Sequence, residues 1–363
     1  MNGLRITSVG LRECIERVVA ASGYHDKRGR LPPGRGIGLA TSAYMCGALH
    51  PVYQNEMAQS GVQVQIERSG RVTALTGTAD IGQGSNHMVA TLVAERLGLR
   101  ASDVRVLEAD SDLVPVDLGS YSSRVTFMAG NAALQAAERV RLQIAEAVAA
   151  HLGVPADSLV FRDHAVRAGD REVPWLKAVD LAESMHGTLG AVGSYKPPKI
   201  GNRFRRESVG PSPAYSFTAQ VAEVSVDLET GMLTVHDIWV AHDLGRVLHH
   251  EIAAGQVEGC VYMGVGEALL EEQTYAQGRM RTPSLLEYRI PTVHETPTIH
   301  TMLVESHDPG GPFGAKEAGE GPQLSTVPAI ANALHDATGL WLTAPPYTPD
   351  RVYAALRRRA REA

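Results

Sequence analysis

The sequence predicts an α+β fold with two lobes, each built from a β-hairpin, a glycine-rich loop and a helix. Three observations support this prediction. Alternating apolar residues occur in paired runs at residues 62–76 and 217–240, and each pair is joined by a turn that contains glycine. The 36 glycines cluster in a few loops. At 363 residues the chain is long enough for two or three hydrophobic cores.

The predicted first lobe, residues 1–153, contains both helical and strand periodicity. Apolar side chains three or four residues apart indicate helices, and strict alternation indicates strands. Gly98 directly follows one helical pattern, where a left-handed glycine commonly ends a helix. In chain order we predict a helix at 8–22, a strand at 36–41, the hairpin at 62–76, a helix at 86–97, a strand at 104–107 and a helix at 131–151.

Residues 154–212 are polar and rich in proline and glycine, which predicts an irregular linker or surface excursion between the lobes. The predicted second lobe, residues 213–363, repeats the order of the first, although the match is in pattern and not in residues. Its predicted elements are the hairpin at 217–240, a helix at 250–270, a helix at 325–338 and a short C-terminal helix.

Composition argues against several classes of protein. The net charge of −6 gives no electrostatic reason to expect nucleic acid or an anionic membrane as a partner. Cys14, Cys46 and Cys260 are too few for a disulfide framework and lack the CxxC spacing of an iron–sulfur site, so any such cluster is expected on another chain. No signal-peptide pattern or apolar run of about 20 residues is present, which predicts a cytoplasmic protein.

The first glycine-rich loop is DIGQG at residues 80–84. Its glycines let the backbone approach an anion, and the predicted helix behind Gly84 adds a favourable dipole. The Gln83 amide is both donor and acceptor, which suits a pterin edge or an oxo ligand better than a bare phosphate. A tight strand-to-helix connection explains the loop equally well, so both interpretations stay open on this motif alone.

The second loop is DLGSYSSRVTF at residues 117–127, directly before the long predicted helix. An arginine, several hydroxyls and a helix N-terminus are the parts of a phosphate or pyrophosphate cradle. Ordinary helix capping needs only one or two hydroxyls, so the cradle is favoured. Its polar residues are Ser120, Ser122, Ser123, Arg124 and Thr126.

The third loop is GAKEAGEGP at residues 314–322, with Glu317, Glu320 and Lys316 before another predicted helix. A glutamate held against apolar groups has a raised pKa, which suits a general base near neutral pH. A solvated turn with charged residues is the alternative. The spacing alone does not decide which glutamate would be catalytic.

Histidines near Asp243 offer a competing interpretation as a metal site. They are His242, His249 and His250. Adjacent side chains such as those of His249 and His250 point apart in a helix or a strand, so core or solvated histidines are favoured and no metal ligands are predicted.

Together the three loops resemble the molybdenum-binding large subunit of the xanthine dehydrogenase and molybdenum hydroxylase family. Four motifs follow the family's order: D-I-G-Q-G, Y-x-S-R-x-T ending in G-x-A, D-x-G with G-Q-x-E-G, and G-A-K-x-x-G-E-x-P. They occupy residues 80–84, 121–132, 243–259 and 314–322. The resemblance covers nearly the whole chain and implies the C-terminal half of the molybdopterin-binding domain.

The resemblance also implies roles for individual residues. Gln256 would line the cofactor from the second lobe, and Glu320 matches the family glutamate that takes a proton beside molybdenum. The residues implied to contact the pterin and pyrophosphate of a molybdopterin, in its cytosine dinucleotide form, are Gln83, Gly84, Tyr121, Ser122, Ser123, Arg124 and Thr126.

Within the family, the amino-acid sequences of these motifs are most similar to those of 4-hydroxybenzoyl-CoA reductase. This similarity implies an aromatic acyl-CoA substrate. An N-heterocycle hydroxylase, such as a nicotinate dehydrogenase-like or xanthine dehydrogenase-like enzyme, is the alternative, and a non-catalytic cofactor carrier is a remote one. Family large subunits are much longer than this chain. The resemblance therefore implies a split or truncated subunit that acts with an N-terminal-half molybdenum subunit, an iron–sulfur subunit and an FAD subunit.

Overall fold

The computed structural model describes residues 5–48, 59–108, 110–198 and 212–362. The chain divides into two compact units. Unit 1 comprises residues 1–7, 45–214 and 307–317, and unit 2 comprises residues 8–44, 215–306 and 318–363. Both units combine helices with a β-sheet, as predicted for an α+β fold.

The helices and strands of the two units are numbered in chain order. The helices are α1 (Leu11–Ser22), α2 (Tyr24–Lys27), α3 (Ser85–Leu97), α4 (Val125–Leu152), α5 (Trp175–His186), α6 (His250–Leu269), α7 (Gln323–Thr338) and α8 (Pro349–Glu362). The strands are β1 (Arg35–Met45), β2 (Ser60–Ile66), β3 (Val72–Thr76), β4 (Val104–Glu108), β5 (Val160–Arg162), β6 (Ala165–Ala168), β7 (Arg171–Pro174), β8 (Leu189–Tyr195), β9 (Tyr215–Val226), β10 (Leu233–Asp243), β11 (Tyr275–Ala276), β12 (Arg279–Met280) and β13 (Thr298–Val304).

Unit 1 is built on a four-stranded sheet with the order β4-β3-β2-β8. The predicted hairpin forms β2 and β3, and β3 pairs with β4 in parallel, since α3 connects them. The long helix α4 lies against β2 and β8, where the backbone of Gly193 approaches that of Ala132. This arrangement carries both predicted cofactor loops, because one follows β3 and the other precedes α4.

The prediction that residues 154–212 are irregular is wrong for most of the segment. It contains α5, the small sheet β5-β6-β7, and β8, which pairs with β2 along seven residues. Strands of three or four residues are too short to show an alternation of apolar and polar residues. The proline and glycine residues of the turns between them therefore led to the prediction of an irregular segment. Residues 199–211 lie outside the described residues.

The predicted lobe boundaries also differ from the two units. Residues 8–44, predicted in the first lobe, belong to unit 2, because β1 pairs with β9 and α1 packs on β9 and β10. Residues 307–317, predicted in the second lobe, belong to unit 1. Contacts between segments far apart in sequence decide both assignments, and periodicity carries no information about them.

Unit 2 is built on a sheet with the order β1-β9-β10-β13, which is covered on both faces. On one face, Cys14 and Val18 of α1 pack against Val221 of β9. On the other face, Val261 of α6 and Ile330 of α7 belong to the larger core cluster. The sheet is therefore the central layer of the unit.

Polar side chains on the buried strand β9 all have partners. The Thr218 hydroxyl forms a hydrogen bond with Nδ1 of His242 at 2.8 Å. The Glu223 carboxylate binds Lys27 at 2.6 Å and Arg35 at 2.5 Å. A buried polar group without a partner costs free energy, so these pairs fix the position of β9 between the two helical layers.

The close approach of β1 and α7 gives a stability prediction. A Cβ atom at Gly38 would lie under 3.0 Å from backbone atoms of Ala333 and Ala329. Backbone atoms cannot move aside as a flexible side chain can, so we expect Gly38→Ala to lower the free energy of unfolding by about 3 kcal/mol or more. Denaturant unfolding of the purified protein measures this change.

The matched control is Gly259→Ala on α6, where an added Cβ meets no described atom within 4 Å. This substitution removes a helical glycine, so we expect a gain of about 0.5–1 kcal/mol. Equal unfolding free energies for the two variants would contradict the packing of β1 against α7.

Candidate cofactor site

Asp80 holds the loop that follows β3. Its carboxylate accepts backbone N–H bonds from Gly82 at 3.0 Å, Asn86 at 3.1 Å and Gly84 at 3.4 Å. Burial raises the pKa of Asp80, but these N–H donors outweigh it and the net pKa is lowered. Gly84 precedes α3 with a left-handed φ of 82°, so the chain turns sharply at a predicted glycine.

Gln83 joins the two predicted loops of unit 1. Its Oε1 accepts the Ile81 N–H at 2.7 Å, and its Nε2 donates to the Ala79 carbonyl at 3.1 Å and to the Ser120 hydroxyl at 3.3 Å. Ser120 in turn donates to the same Ala79 carbonyl at 2.8 Å. The structure therefore brings the DIGQG loop and the SYSSR loop together, with the Gln83 amide between them.

The stretch before α4 has an unusual backbone. Ser122 and Ser123 have φ values of 50° and 48°, a conformation that non-glycine residues rarely adopt and that is concentrated at functional sites. The Gly47 N–H donates to the Ser122 carbonyl at 2.8 Å, which helps to hold this shape. The N-cap residue of α4, Arg124, makes no side-chain hydrogen bond that caps the helix, and the helix N-terminus carries the positive end of the helix dipole.

Arg124 lies behind this loop and is 1% exposed. Its guanidinium donates to Asp117 at 2.6 Å and to the Ser60 hydroxyl at 3.1 Å, and the Asp117 side chain is fully buried. The implied direct contact between Arg124 and a pyrophosphate conflicts with this geometry, because protein groups enclose the guanidinium. The charged guanidinium instead stabilises the loop through its hydrogen bonds to Asp117 and Ser60.

The remaining groups fit the phosphate end of a molybdopterin. Tyr121, Ser122, Ser123 and Thr126 are each partly exposed, and they surround the N-terminus of α4. Hydroxyls, backbone N–H groups and a helix dipole together form the donor set that a phosphate needs. The N-terminus of α4 therefore offers, apart from Arg124, the types of donor that an anionic group would need.

In unit 2, α6 carries Gln256 in its second turn. His249 caps this helix, with Nδ1 accepting the Ile252 N–H at 3.3 Å. Cys260, one turn after Gln256, donates its thiol to the Gly319 carbonyl. The helix that carries Gln256 therefore contacts the segment that carries Glu320, and both Gln256 and Glu320 are partly exposed.

Side chains from two further elements hold the Glu320 segment. Ser42 of β1 donates to the Gly321 carbonyl at 3.0 Å. Gln220 of β9 donates to the Pro322 carbonyl and, at 3.0 Å, to the Ser325 hydroxyl. The backbone on both sides of Glu320 is thus fixed by the core of unit 2.

The structure separates the two glutamates of the third loop. Glu317 is 1% exposed and belongs to unit 1, where burial and the nearby Glu317 carboxylate raise the pKa of the Cys46 thiol. Glu320 belongs to unit 2 and keeps exposed surface. Only Glu320 of this pair is placed to meet a ligand.

The histidines near Asp243 do not form a metal site. Among the described residues, no group of three or more histidine, cysteine or acidic side chains could hold a metal ion. His242 is buried against Thr218, and His249 caps α6. The three cysteines are buried, and none of them forms a disulfide with another described residue. In the part of the chain that the structure describes, no helix is long and apolar enough to span a membrane.

Sequence reasoning assigned no role to four residues that contact the loops, namely Asp117, Ser42, Gln220 and Cys260. Gln220 offered a signal, because it lies in a predicted strand and a buried amide must be hydrogen-bonded.

Comparison with known proteins identifies the family. Residues 17–297 match the model of the molybdopterin cofactor-binding domain. The chain is 31% identical to the xanthine dehydrogenase molybdenum-binding subunit of Escherichia coli O157:H7, over 97% of this chain and 47% of that protein. The matched domain stops before the Glu320 loop, but the Escherichia coli relative extends over nearly the whole chain.

Solved structures show the same fold. Reconstituted CO dehydrogenase from Oligotropha carboxidovorans matches with a TM-score of 0.87 and 25% identity, over 99% of this chain and 47% of that one. Quinoline 2-oxidoreductase from Pseudomonas putida 86 matches with a TM-score of 0.81 and 24% identity, over 96% and 45%. The chain thus spans about half the length of these relatives. The resemblance inferred from the loops is confirmed: the chain belongs to the molybdenum hydroxylase family of molybdopterin-binding large subunits.

Proposed function

We propose that the chain is the catalytic, cofactor-binding half of a molybdenum hydroxylase-type oxidoreductase, with Glu320 as the proton acceptor. The observation that carries this proposal is the placement of Glu320. It is the partly exposed glutamate of its loop, its flanking carbonyls are held by the core of unit 2, and the residue before it contacts Cys260, one turn after Gln256 on α6. A rigidly held carboxylate is suited to general base catalysis.

The cofactor is a molybdopterin, and we propose its cytosine dinucleotide form. The N-terminus of α4 and the hydroxyls of Ser122, Ser123 and Thr126 would hold its phosphates, with Tyr121 beside them. Gln83, Gly84 and Gln256 would contact the pterin or the metal's ligands, as the family resemblance implies. When bound, the cofactor supplies the two-electron redox chemistry of the reaction, and Glu320 accepts a proton on its carboxylate oxygen.

Among the candidate substrate classes, we favour N-heterocycles. The names of the relatives include xanthine and quinoline, which are both N-heterocycles. An aromatic acyl-CoA is the second candidate, because the motif wording is similar to 4-hydroxybenzoyl-CoA reductase. Dye reduction by the purified complex, with xanthine, quinoline, nicotinate and 4-hydroxybenzoyl-CoA as parallel substrates, tests this order. Activity on the thioester alone would reverse it.

The partners are proposed from the family resemblance. The chain spans about half of its relatives, and we propose that an N-terminal-half molybdenum subunit completes the site, as the resemblance to the longer family subunits implies. An iron–sulfur subunit and an FAD subunit would carry electrons away, which the same resemblance implies.

The first functional prediction concerns Glu320. A non-catalytic cofactor carrier needs no base, so Glu320→Gln separates an enzyme from a carrier. We expect kcat to fall about 10²–10⁴-fold while molybdenum content stays at the wild-type level, because glutamine keeps the shape and loses the proton acceptor. Steady-state kinetics and metal analysis of the same preparation measure both quantities.

The control is Glu317→Gln, which changes the other carboxylate of the same loop. Glu317 is enclosed in unit 1, so the effect should fall on thermal stability and not on turnover. If Glu317→Gln abolishes turnover and Glu320→Gln does not, the assignment of the base is wrong.

A second functional prediction concerns the buried pair of Arg124 and Asp117. Asp117→Asn leaves the Arg124 charge without its partner, which we expect to lower the free energy of unfolding by about 3–5 kcal/mol and to reduce bound molybdenum. A molybdenum content that stays unchanged while stability falls would mean that the pair does not shape the cradle.

The matched double variant is Asp117→Asn with Arg124→Gln, which removes both charges. Replacing both members of a buried pair costs less than breaking it, so we expect the double variant to recover part of the stability and of the metal. If Arg124 instead bound the cofactor directly, the double variant would hold less molybdenum than Asp117→Asn alone.

A further inference from the structure

The backbone around Glu320 accepts hydrogen bonds from three side chains on three different elements. Cys260 of α6 donates to the Gly319 carbonyl, Ser42 of β1 donates to the Gly321 carbonyl, and Gln220 of β9 donates to the Pro322 carbonyl. We call these three donors the Glu320 clamp. The accepting residues include both neighbours of Glu320, so the clamp restrains its backbone on each side.

Gln220 is the deepest member of the clamp and is completely buried. Its Nε2 also donates to the Ser325 hydroxyl at 3.0 Å, and its Oε1 accepts the Thr326 hydroxyl at 3.0 Å. Both polar atoms of the amide are therefore hydrogen-bonded: Nε2 binds the Glu320 loop, and Oε1 binds the first turn of α7. Burying an amide costs free energy unless its polar atoms are hydrogen-bonded. An apolar residue at this position of β9 would need no hydrogen bonds.

Cys260 connects the loop to the cofactor-facing side of α6. It lies one turn after Gln256, which the proposed function places against the cofactor. Through Cys260, the helix that carries Gln256 contacts the backbone directly before Glu320. The thiol is 2% exposed, so the contact is enclosed by protein.

Ser42 adds a donor from β1, on a strand whose packing against α7 is already tight. Its hydroxyl also forms a hydrogen bond with Ser325 at 3.2 Å, the same hydroxyl that Gln220 reaches. The members of the clamp are therefore joined to one another, and a change in one is transmitted to the loop through the others.

We propose that Cys260, Ser42 and Gln220 are positioning residues that hold the Glu320 carboxylate at the place where it accepts the proton. The proposal rests on the proposed function of Glu320 as the base. Glycines precede and follow Glu320, and glycine backbone has more conformational freedom than that of other residues. The clamp limits this freedom on both sides of the base, and a displacement of about 1 Å at a reacting group can cost about a hundredfold in rate.

Cys260 offers the most direct test, because two substitutions distinguish the loss of its hydrogen-bond donor from the loss of its side-chain volume. Cys260→Ala removes the thiol donor, and Cys260→Ser keeps a donor at nearly the same place. We expect Cys260→Ala to lower kcat about tenfold or more with KM within about twofold, and Cys260→Ser to restore most of kcat. Both are measured in the holoenzyme complex, on the substrate that the wild-type complex turns over.

The control for lost volume is Cys14→Ala in the core of the same unit. Cys14 is fully buried on α1, and its thiol points to the Phe217 carbonyl at 3.8 Å, in a different cluster from the Glu320 loop. This variant should lose stability as Cys260→Ala does but keep its kcat. A fall in kcat of the same size in both variants would show a general structural effect and overturn the proposal.

A second readout does not depend on activity. Hydrogen exchange of the peptide that covers residues 314–322 should be about tenfold faster in Cys260→Ala than in wild type and near wild type in Cys260→Ser, because opening of the loop follows the loss of the donor. Unchanged exchange in Cys260→Ala overturns the clamp even where no substrate has been found.

The outcomes separate the two proposals. A wild-type complex without molybdenum overturns the proposed function and the positioning role with it. A wild-type complex with molybdenum and turnover, together with a Cys260→Ala variant that matches wild type in kcat and in exchange, overturns the positioning role alone. Loss of kcat in Cys260→Ala with recovery in Cys260→Ser, and with Cys14→Ala unaffected, supports both.

Discussion

The constraint on which the site depends is the hydrogen bonding of glycine-rich backbone. A loop that must approach a ligand cannot satisfy its polar groups in a helix or sheet, and its glycines supply no side chains to do so. The protein meets this constraint with polar side chains that bind the loop backbone. In unit 1 the loops supply them, as the Asp80 carboxylate accepts N–H groups of its own loop and Arg124 donates to the Gly119 carbonyl. In unit 2 the buried Gln220 comes from β9.

The same constraint explains why buried polar residues occur in both cores. Arg124 with Asp117, and Gln220 with Ser325, are expensive to bury and would be poor choices for stability alone. Their partners are loop groups beside the positions where the cofactor and the proton acceptor are proposed. These buried polar pairs therefore lower the stability of the protein but fix the shape of the loops. Electrostatic stabilisation and proton transfer require groups in fixed positions.

Periodicity and turn residues predicted the secondary structure well where elements are long. The helices at α1, α3 and α6 and the hairpins β2–β3 and β9–β10 lie where the pattern placed them. The three short strands β5, β6 and β7 and the pairing of β1 with β9 were missed, because strands of three or four residues show no period and strand partners far apart in sequence leave no local trace. For the site, the loop motifs predicted which residues line it, and that assignment stays a prediction. The motifs did not show that the Arg124 guanidinium is enclosed and paired with Asp117, because a motif does not report on which side of a loop a side chain lies.

The central claim is that this chain holds a molybdopterin as one half of a larger catalytic unit. The most direct measurement is metal analysis by mass spectrometry of the native complex, purified through this chain, with every copurifying subunit identified. The account predicts molybdenum in stoichiometric amount with the chain, accompanied by iron and by a second half of the molybdenum subunit. A pure, folded complex with neither molybdenum nor such a partner would contradict it, and Glu320 would then have no catalytic role.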